Sequence, residues 1–378
     1  MRPRLTPAIA DTRRAVRDAL AALRAGAGSA GGSPRLVLVA LSGGPDSLAL
    51  AAATAFEAPR AGLRAGAVVV DHGLQDGSAE VAARAAAQAE ELGLAPVLVR
   101  RVAVAARPSS PAPPERASTG PAPTDYPGPE SAARAARYAA LDAAAEETGA
   151  AAILLGHTLD DQAETVLLGL ARGSGAASLQ GMPPASGRCL RPFLGLRRAT
   201  TEAACAEQGL EPWRDPQNAD PAFARARVRT RLMPALEAEL GPGVAEALAR
   251  TAEQLREDAE ALDRMVEEVA EDLVAVAADP LTEEPYPGGG VALPVTALAA
   301  NPAAIRNRLI RLVVRSEFGR SLTRRHTLEV ARLVTDWRGQ GPLDLPGVRA
   351  AREGGFIVFT AAPSPRDAAA PPVRDGGS

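Results

Sequence analysis

The 378-residue chain contains no lysine, and all 42 of its basic side chains are arginine. That absence excludes a Walker A loop, whose lysine reaches the β- and γ-phosphates of a bound nucleotide. Cysteine is nearly absent too. Cys189 and Cys205 stand sixteen positions apart with no CxxC, which suggests neither a zinc site nor a disulfide framework and fits a reducing cytoplasm. Long apolar runs are missing: Arg2, Arg4, Arg13, Arg14 and Arg17 interrupt the N-terminus, so neither a signal peptide nor a bilayer-spanning segment is expected. A formal net charge of −3 provides no global basic field, so any nucleic-acid partner must be held by local arginine patches. Aromatics make up only 3% of the chain, yet 46% hydrophobic residues suffice for a sizeable core.

The length favours two or three domains. Residues 1–33 read as an N-terminal helix (6–25) and a Gly/Ser linker. Short apolar segments at 35–41, 67–70, 96–99 and 151–155 alternate with helical patterns at 46–58, 77–93, 130–149 and 159–171. Such alternation marks an α/β fold, a Rossmann-like parallel sheet, over residues 34–222. Within it, the Pro/Ser/Ala/Gly-rich stretch 105–129 cannot bury enough apolar surface to order itself and is expected to be a mobile insertion. Residues 223–280 carry helical periodicity broken at Gly241-Pro242-Gly243. A small α+β C-terminal domain follows over 290–362, with helices at 302–317 and 323–337 and strands at 343–345, 349–352 and 356–360. The tail, 363–378, is expected to be disordered.

The first expected strand runs into Ser42-Gly43-Gly44-Pro45-Asp46-Ser47 and then directly into a helix. Glycines let a backbone approach a ligand closely, and the N–H groups that open a helix form an anion site. Pro45 suits a first helical turn, and Asp46 or Ser47 can cap it. A capped turn alone would explain the pattern; a lysine-free phosphate cradle explains it as well.

Ligands of open α/β sheets bind outside the carboxyl ends of the strands. Asp71-His72-Gly73 follows the second strand, and Gly156-His157-Thr158-Leu159-Asp160-Asp161 follows a later one. Two of the chain's three histidines fall at these ends. Asp161 and Glu164, at i and i+3, share one helical face. They either complement the helix dipole or form a site for Mg²⁺ and an amine. His157 is equally readable as a structural histidine.

SGGPDS matches the SGGxDS signature of the PP-loop ATP pyrophosphatases. Together with VDHGL, ESAARAARY, GHTLDDQAETVLLGLARGSG, RPFL, WRDPQN and FARARVRTRLMP, it makes residues 36–240 resemble the tRNA(Ile)-lysidine synthetases, with a fainter resemblance in the C-terminal stretch. The resemblance implies an ATP-dependent, Mg²⁺-assisted ligase. It would attach free lysine to the wobble cytidine of a tRNA(Ile) with a CAU anticodon, through an adenylylated base, giving lysidine, AMP and pyrophosphate. It also implies roles for residues. Ser42, Gly43, Gly44, Pro45, Asp46, Ser47, Asp71 and His72 would bind the nucleotide, with Asp46 and Asp161 near the metal. Asp161 and Glu164 would hold the lysine, and Arg134 would lie near the phosphate or activated base. A lysine amine of reference pKa about 10.4 must lose a proton to attack at pH 7, a cost of roughly 4–5 kcal/mol without help. His157 and Asp71 are both candidates to accept it. The catalytic set is thus Asp46, Arg134, His157, Asp161 and Glu164.

Three positions depart from the family's usual pattern: Gln75 where a basic residue often follows HGL, Arg214 where an acidic residue often precedes the DP pair, and Ala226 in place of a frequent Asn. Arg225, Arg227, Arg229 and Arg231 read as tRNA-phosphate contacts or as a solvated helical face. Arg306, Arg308, Arg311, Arg315, Arg324 and Arg325 form a second cluster near His326 that suits tRNA contact. Trp213 and Trp337 read as core residues. The nearest rival is a PP-loop tRNA sulfur transferase, which would need reactive cysteines. A small-molecule amidotransferase lacks support in a chain without a glutaminase-like cysteine domain, and a non-catalytic nucleotide or tRNA binder would not need the acidic pair. The protein is expected in the cytoplasm, away from membranes, with a homodimer allowed.

Overall fold

The computed structural model describes residues 5–25, 34–71, 73, 77–102, 129–173, 175–273, 275–276 and 290–362. The linker 26–33, His72, Gln75, residues 105–128 of the expected insertion and the tail 363–378 lie outside the described residues. The chain divides into two compact units, Met1–Leu255 and Arg256–Ser378. No helix among the described residues is long and apolar enough to cross a membrane.

The first unit opens with α1 (Pro7–Ala25), β1 (Leu36–Leu41), α2 (Pro45–Glu57), β2 (Arg64–Asp71), α3 (Ser78–Glu91) and β3 (Val97–Arg101). It continues through α4 (Pro129–Thr148), β4 (Ala152–Leu154), α5 (Leu159–Ala171), α6 (Ala176–Leu179), β5 (Ala185–Ser186), β6 (Cys189–Leu190) and α7 (Arg198–Glu207). After α8 (Ala224–Arg227) the chain makes a π-helical turn at Val228–Leu232 and enters α9 (Met233–Leu240), then α10 (Val244–Leu273). The expected break at Gly241–Gly243 is present: both glycines have positive φ, which L side chains resist.

The strands form one sheet in the order β3-β2-β1-β4-β6-β5, parallel except for the β5/β6 hairpin. Every residue of β1 is buried. Its alternate side chains serve two cores, as expected of a central parallel strand covered on both faces. Val37, Val39 and Leu41 pack with Leu48 of α2, Val16 of α1 and Cys205 of α7, whereas Leu36, Leu38 and Ala40 pack with Leu141 and Ala145 of α4. Because β1 pairs with β2 on one side and β4 on the other, the strand order reverses there. The loops leaving β1 and β4 therefore open side by side at a topological switch point.

In the second unit, β7 (Ala275–Val276), β8 (Gly290–Pro294), β9 (Leu343–Leu345), β10 (Val348–Glu353) and β11 (Phe356–Ala361) form an antiparallel sheet in the order β7-β8-β11-β10-β9. With it come α11 (Val295–Ala300), α12 (Ala303–Phe318) and α13 (Arg324–Thr335). Leu309, Ile310 and Val313 of α12 and Val330 of α13 pack onto Leu293, Ala350, Ile357 and Phe359 of the sheet. The strand at β7 stands near the end of the helical region expected over 223–280, and β8 has no counterpart in the sequence reading.

Candidate active site

The β1–α2 turn takes its shape from Gly43, whose φ of 79° lies in the left-handed region. Gly44 is the N-cap of α2 with no side-chain cap, so neither Asp46 nor Ser47 caps the helix. The Ser47 hydroxyl is spent inside the turn instead: it donates to Gly44 O at 2.9 Å and accepts from Ser42 N at 3.2 Å. Gly156, leaving β4, presses against this turn, and a Cβ there would lie 3.2 Å from the carbonyl carbon of Asp46. The first-turn amides of α2 are left for an anion.

Next to this turn lies a cavity of about 220 Å³ lined by Ser42, Asp71, Arg137, Leu141, Trp213 and Gln217 among others. Trp213 is thus half-buried against a cavity, and its backbone N–H donates to Gly43 O at 2.9 Å, tying the WRDPQN segment to the phosphate turn. Arg134 was the arginine expected here, but it is exposed and folded onto the ring of Tyr138, 5.0 Å from its centroid. Arg137, three residues on and so on a neighbouring face of α4, lines the cavity instead, and burial lowers its pKa. Asp71 closes β2 and accepts from Gly73 N at 2.9 Å.

The acidic pair sits at the head of α5. Asp161 Oδ2 accepts from Thr158 N at 2.8 Å and from Thr158 Oγ1 at 2.9 Å, completing a capping box. Its Oδ1 accepts from Arg198 Nη2 at 2.8 Å and Arg229 Nη2 at 3.1 Å. Glu164, only 1% exposed, accepts from Arg229 Nε at 2.7 Å and Arg198 Nη2 at 3.3 Å, with Arg225 Nε at 3.8 Å. Burial works against the Asp161 charge, but Arg198, the Thr158 N–H and Arg229 outweigh it and hold its pKa below the ordinary carboxylate value. Arg225 and Arg229 are therefore bound into the site and do not form a solvated face; Arg227 is turned to the carbonyls of Pro221 and Ala222. Ala226, one of the departures, is buried between them, and Arg214 is exposed.

Asp46 faces the pair across Arg198, whose Nε lies 3.7 Å from Asp46 Oδ2. The Thr201 hydroxyl also donates to Asp46. Burial nevertheless pushes the Asp46 pKa up to about 6, opposed by Thr201 and Arg198 and reinforced by Asp161. His157 is neutral: burial depresses its pKa to about 3 against the opposing pull of Asp161, with Arg137, Arg191 and Arg134 adding to the depression. Its Nδ1 is buried without a hydrogen-bond partner among the described residues. A second cavity of about 170 Å³ shares Asp215 and Gln217 with the first and is also lined by Asn218, Phe223, Arg225 and Arg229.

Arg137, Arg198 and Thr201 escaped the sequence reading. Arg198 and Thr201 lie on α7, a segment without a recognised motif, and only their three-dimensional approach to Asp46 and the acidic pair reveals them. No group of three or more His, Cys, Asp or Glu side chains suited to a metal occurs among the described residues. Trp337, expected in a core, is 38% exposed with the Arg352 guanidinium 5.2 Å from its ring centroid.

Residues 18–236 match the family model described as a PP-loop domain, and residues 293–356 match the TilS substrate binding domain. The chain is 64% identical over 324 residues to the tRNA(Ile)-lysidine synthase of Leifsonia xyli subsp. xyli, covering 86% of this chain and 89% of that one. It is 49% identical to the enzyme of the same name from Thermobifida fusca, covering 93% and 98% of the two chains. With that of Streptomyces coelicolor the identity is 51%, over 86% and 85%.

Proposed function

The chain belongs to the tRNA(Ile)-lysidine synthase family, and from that premise we propose that it uses ATP to ligate lysine to the wobble cytidine of the AUA-reading isoleucine tRNA. The observation that carries the reading is the meeting of a lysine-free phosphate turn and a buried acidic pair at one switch point, bridged by Arg198.

ATP lies with its phosphates on the amides of 42–47 and its nucleoside in the 220 Å³ cavity, where Trp213 offers a ring and Arg137 a cation. The target cytidine leaves its stack, as a base must for such chemistry, and its ring enters the second cavity. Through Asp215 and Gln217 that cavity adjoins the nucleotide; through Arg225 and Arg229 it adjoins Glu164. The 2-oxo oxygen attacks the α-phosphorus and expels pyrophosphate. The lysine ε-amine then attacks C2, and the oxygen departs with AMP. Asp161 and Glu164 bind the ε-ammonium and orient it. Of the two proton acceptors left open by the sequence, Asp71 remains, since burial leaves the His157 imidazole with a pKa of about 3, too weak a base for an ammonium proton.

A half-buried carboxylate at the mouth of the phosphate turn suits a cation that takes its remaining ligands from phosphate and water. Asp46 would hold Mg²⁺ in that way, and the ion would neutralise charge on the departing pyrophosphate. Asp161, the other expected ligand, has Oδ2 engaged by Thr158 and is assigned through Oδ1 to the lysine ammonium. The match of residues 293–356 to a substrate-binding domain supports tRNA contact in the second unit. There Arg315 and Arg324 form no ion pair within 4 Å among the described residues, and Arg311 feels Arg308 and Arg324 as well as Asp263. The reaction fits the cytoplasm, where tRNA and free lysine are found together.

The sulfur-transferase reading fares worse. Cys189 and Cys205 are both buried, and burial raises the Cys205 thiol to about 11, the reverse of what a nucleophilic thiolate needs. Incubation with ATP, lysine and tRNA(Ile) bearing a CAU anticodon, followed by mass measurement of the anticodon nucleoside, tests the proposal. A lysine adduct with release of AMP and pyrophosphate is expected; an unchanged or thiolated nucleoside would refute it.

A further inference from the structure

The acidic pair meets more positive charge than it carries. Two carboxylates, Asp161 and Glu164, face three guanidiniums: Arg198, Arg229 and, at 3.8 Å, Arg225. A substrate ammonium arriving there meets a net positive charge and finds Asp161 Oδ1 and Glu164 Oε1 already occupied by Arg198 Nη2. One guanidinium has to leave before a lysine can bind there.

Arg198 is the one of the three that also reaches the phosphate turn. Its Nε lies 3.7 Å from Asp46 Oδ2, and it feels Asp161, Glu164, Asp46 and Asp160 together. Its backbone is fixed, because Arg198 N donates to Asp160 Oδ2 at 2.7 Å and Thr201, one turn on, holds Asp46. Only the side chain is free to exchange partners. Arg229, by contrast, is bound to Glu164 through both Nε and Nη2, and Arg225 is tethered to Thr165.

We propose that Arg198 is a nucleotide-responsive latch, a positioning residue that occupies the lysine site in the free enzyme and swings to the phosphates when ATP binds. The latch rests on the assignment of the lysine ammonium to Asp161 and Glu164. The arriving phosphates offer the guanidinium several oxygens in place of one from each carboxylate, and bidentate pairing suits its planar fork. Its departure removes the excess positive charge, leaving two carboxylates against two guanidiniums, and frees an acceptor position on Asp161 Oδ1 and another on Glu164 Oε1 for the ammonium. Nucleotide therefore binds before lysine, and the coupling is reciprocal.

Calorimetric titration of the full-length protein with L-lysine, in the presence and absence of α,β-methylene-ATP, tests the latch. The analogue is expected to tighten lysine binding by about 10-fold or more, and saturating lysine to tighten the analogue by the same factor. Arg198→Met is expected to bind lysine without nucleotide as tightly as the wild type does with it, leaving less than about a third of the coupling. Equal lysine affinity with and without the analogue in the wild type would overturn the proposal, as would full coupling in Arg198→Met. The wild-type comparison needs no variant, so a poorly folding substitution leaves the test intact. Failure of the underlying assignment has a different signature: Glu164→Gln would bind lysine as tightly as the wild type in the presence of the analogue.

Discussion

The Thr201 hydroxyl donates to the Asp46 carboxylate across 155 positions of sequence, tying the first turn of α7 to the phosphate turn. This bond opposes the burial that raises the Asp46 pKa to about 6. A hydrogen bond to a charged group contributes about 1.5–3 kcal/mol, so Thr201→Val should raise that pKa by about one unit or more. The acidic limb of the kcat/KM–pH profile is expected near pH 6 in the wild type and higher in Thr201→Val, with Thr201→Ser restoring it. A limb that does not move between the variants would disconnect Asp46 from the reaction.

Asp46 should also cost the free enzyme stability. Its folded pKa of about 6 lies above the ordinary 3.8, so between those values the folded state keeps a proton that the unfolded chain has released. Its contribution is greatest below the unfolded pKa and is lost as pH rises through 6. Asp46→Asn should therefore be more resistant to urea than the wild type at pH 8, by on the order of 2 kcal/mol, and much less so at pH 4. Its ligation activity should be lost. An Asp46→Asn variant that is less stable at pH 8 would contradict the burial argument.

Two arginines near one end of α4 should differ in their effect on nucleotide. Arg137 lines the nucleotide cavity, whereas Arg134 is exposed on Tyr138. Loss of a charged contact to a bound ligand commonly costs on the order of 2 kcal/mol, so Arg137→Gln should raise the KM for ATP by roughly 10-fold or more. Arg134→Gln should leave it within about 2-fold, because an exposed charge is well screened. Steady-state kinetics at saturating tRNA and lysine decide between them, and the reverse ordering would restore the assignment made from sequence.

His157 should prove dispensable as a base. With a pKa of about 3 it is neutral throughout the working range and a poor acceptor for an ammonium proton. His157→Asn is expected to lower kcat by less than the roughly 100-fold that a lost general base costs. It should leave both limbs of the pH profile in place. A lost or displaced limb would give the imidazole the role denied to it here.

Much of the first unit was legible because its signals are local. The fully apolar β1 and the Ser42–Ser47 turn between strand and helix need only neighbouring residues to be recognised, and the i,i+3 spacing fixes the common face of Asp161 and Glu164 in any helix. What the sequence concealed depends on long-range approach. Arg225 and Arg229 look like a basic stripe on a short helix, and only the packing of that segment against α5 turns them onto Glu164. Arg134 and Arg137 are three residues apart on one helix, so the pattern identifies a basic face without saying which member meets the cavity. Arg198 carries no motif at all. In the second unit, the short β7 and β8 are defined by their partners in the sheet more than by their own residues.

The oxygen of the target cytidine gives the most direct test of the chemistry. In the proposed reaction the base oxygen attacks the α-phosphorus and leaves on AMP when lysine takes its place at C2. A tRNA carrying oxygen-18 in the 2-oxo group of the wobble cytidine should therefore yield AMP that contains the label, one atom for each lysidine formed. Unlabelled AMP from the same reaction would mean that ATP activates something other than the base, and the account would fall.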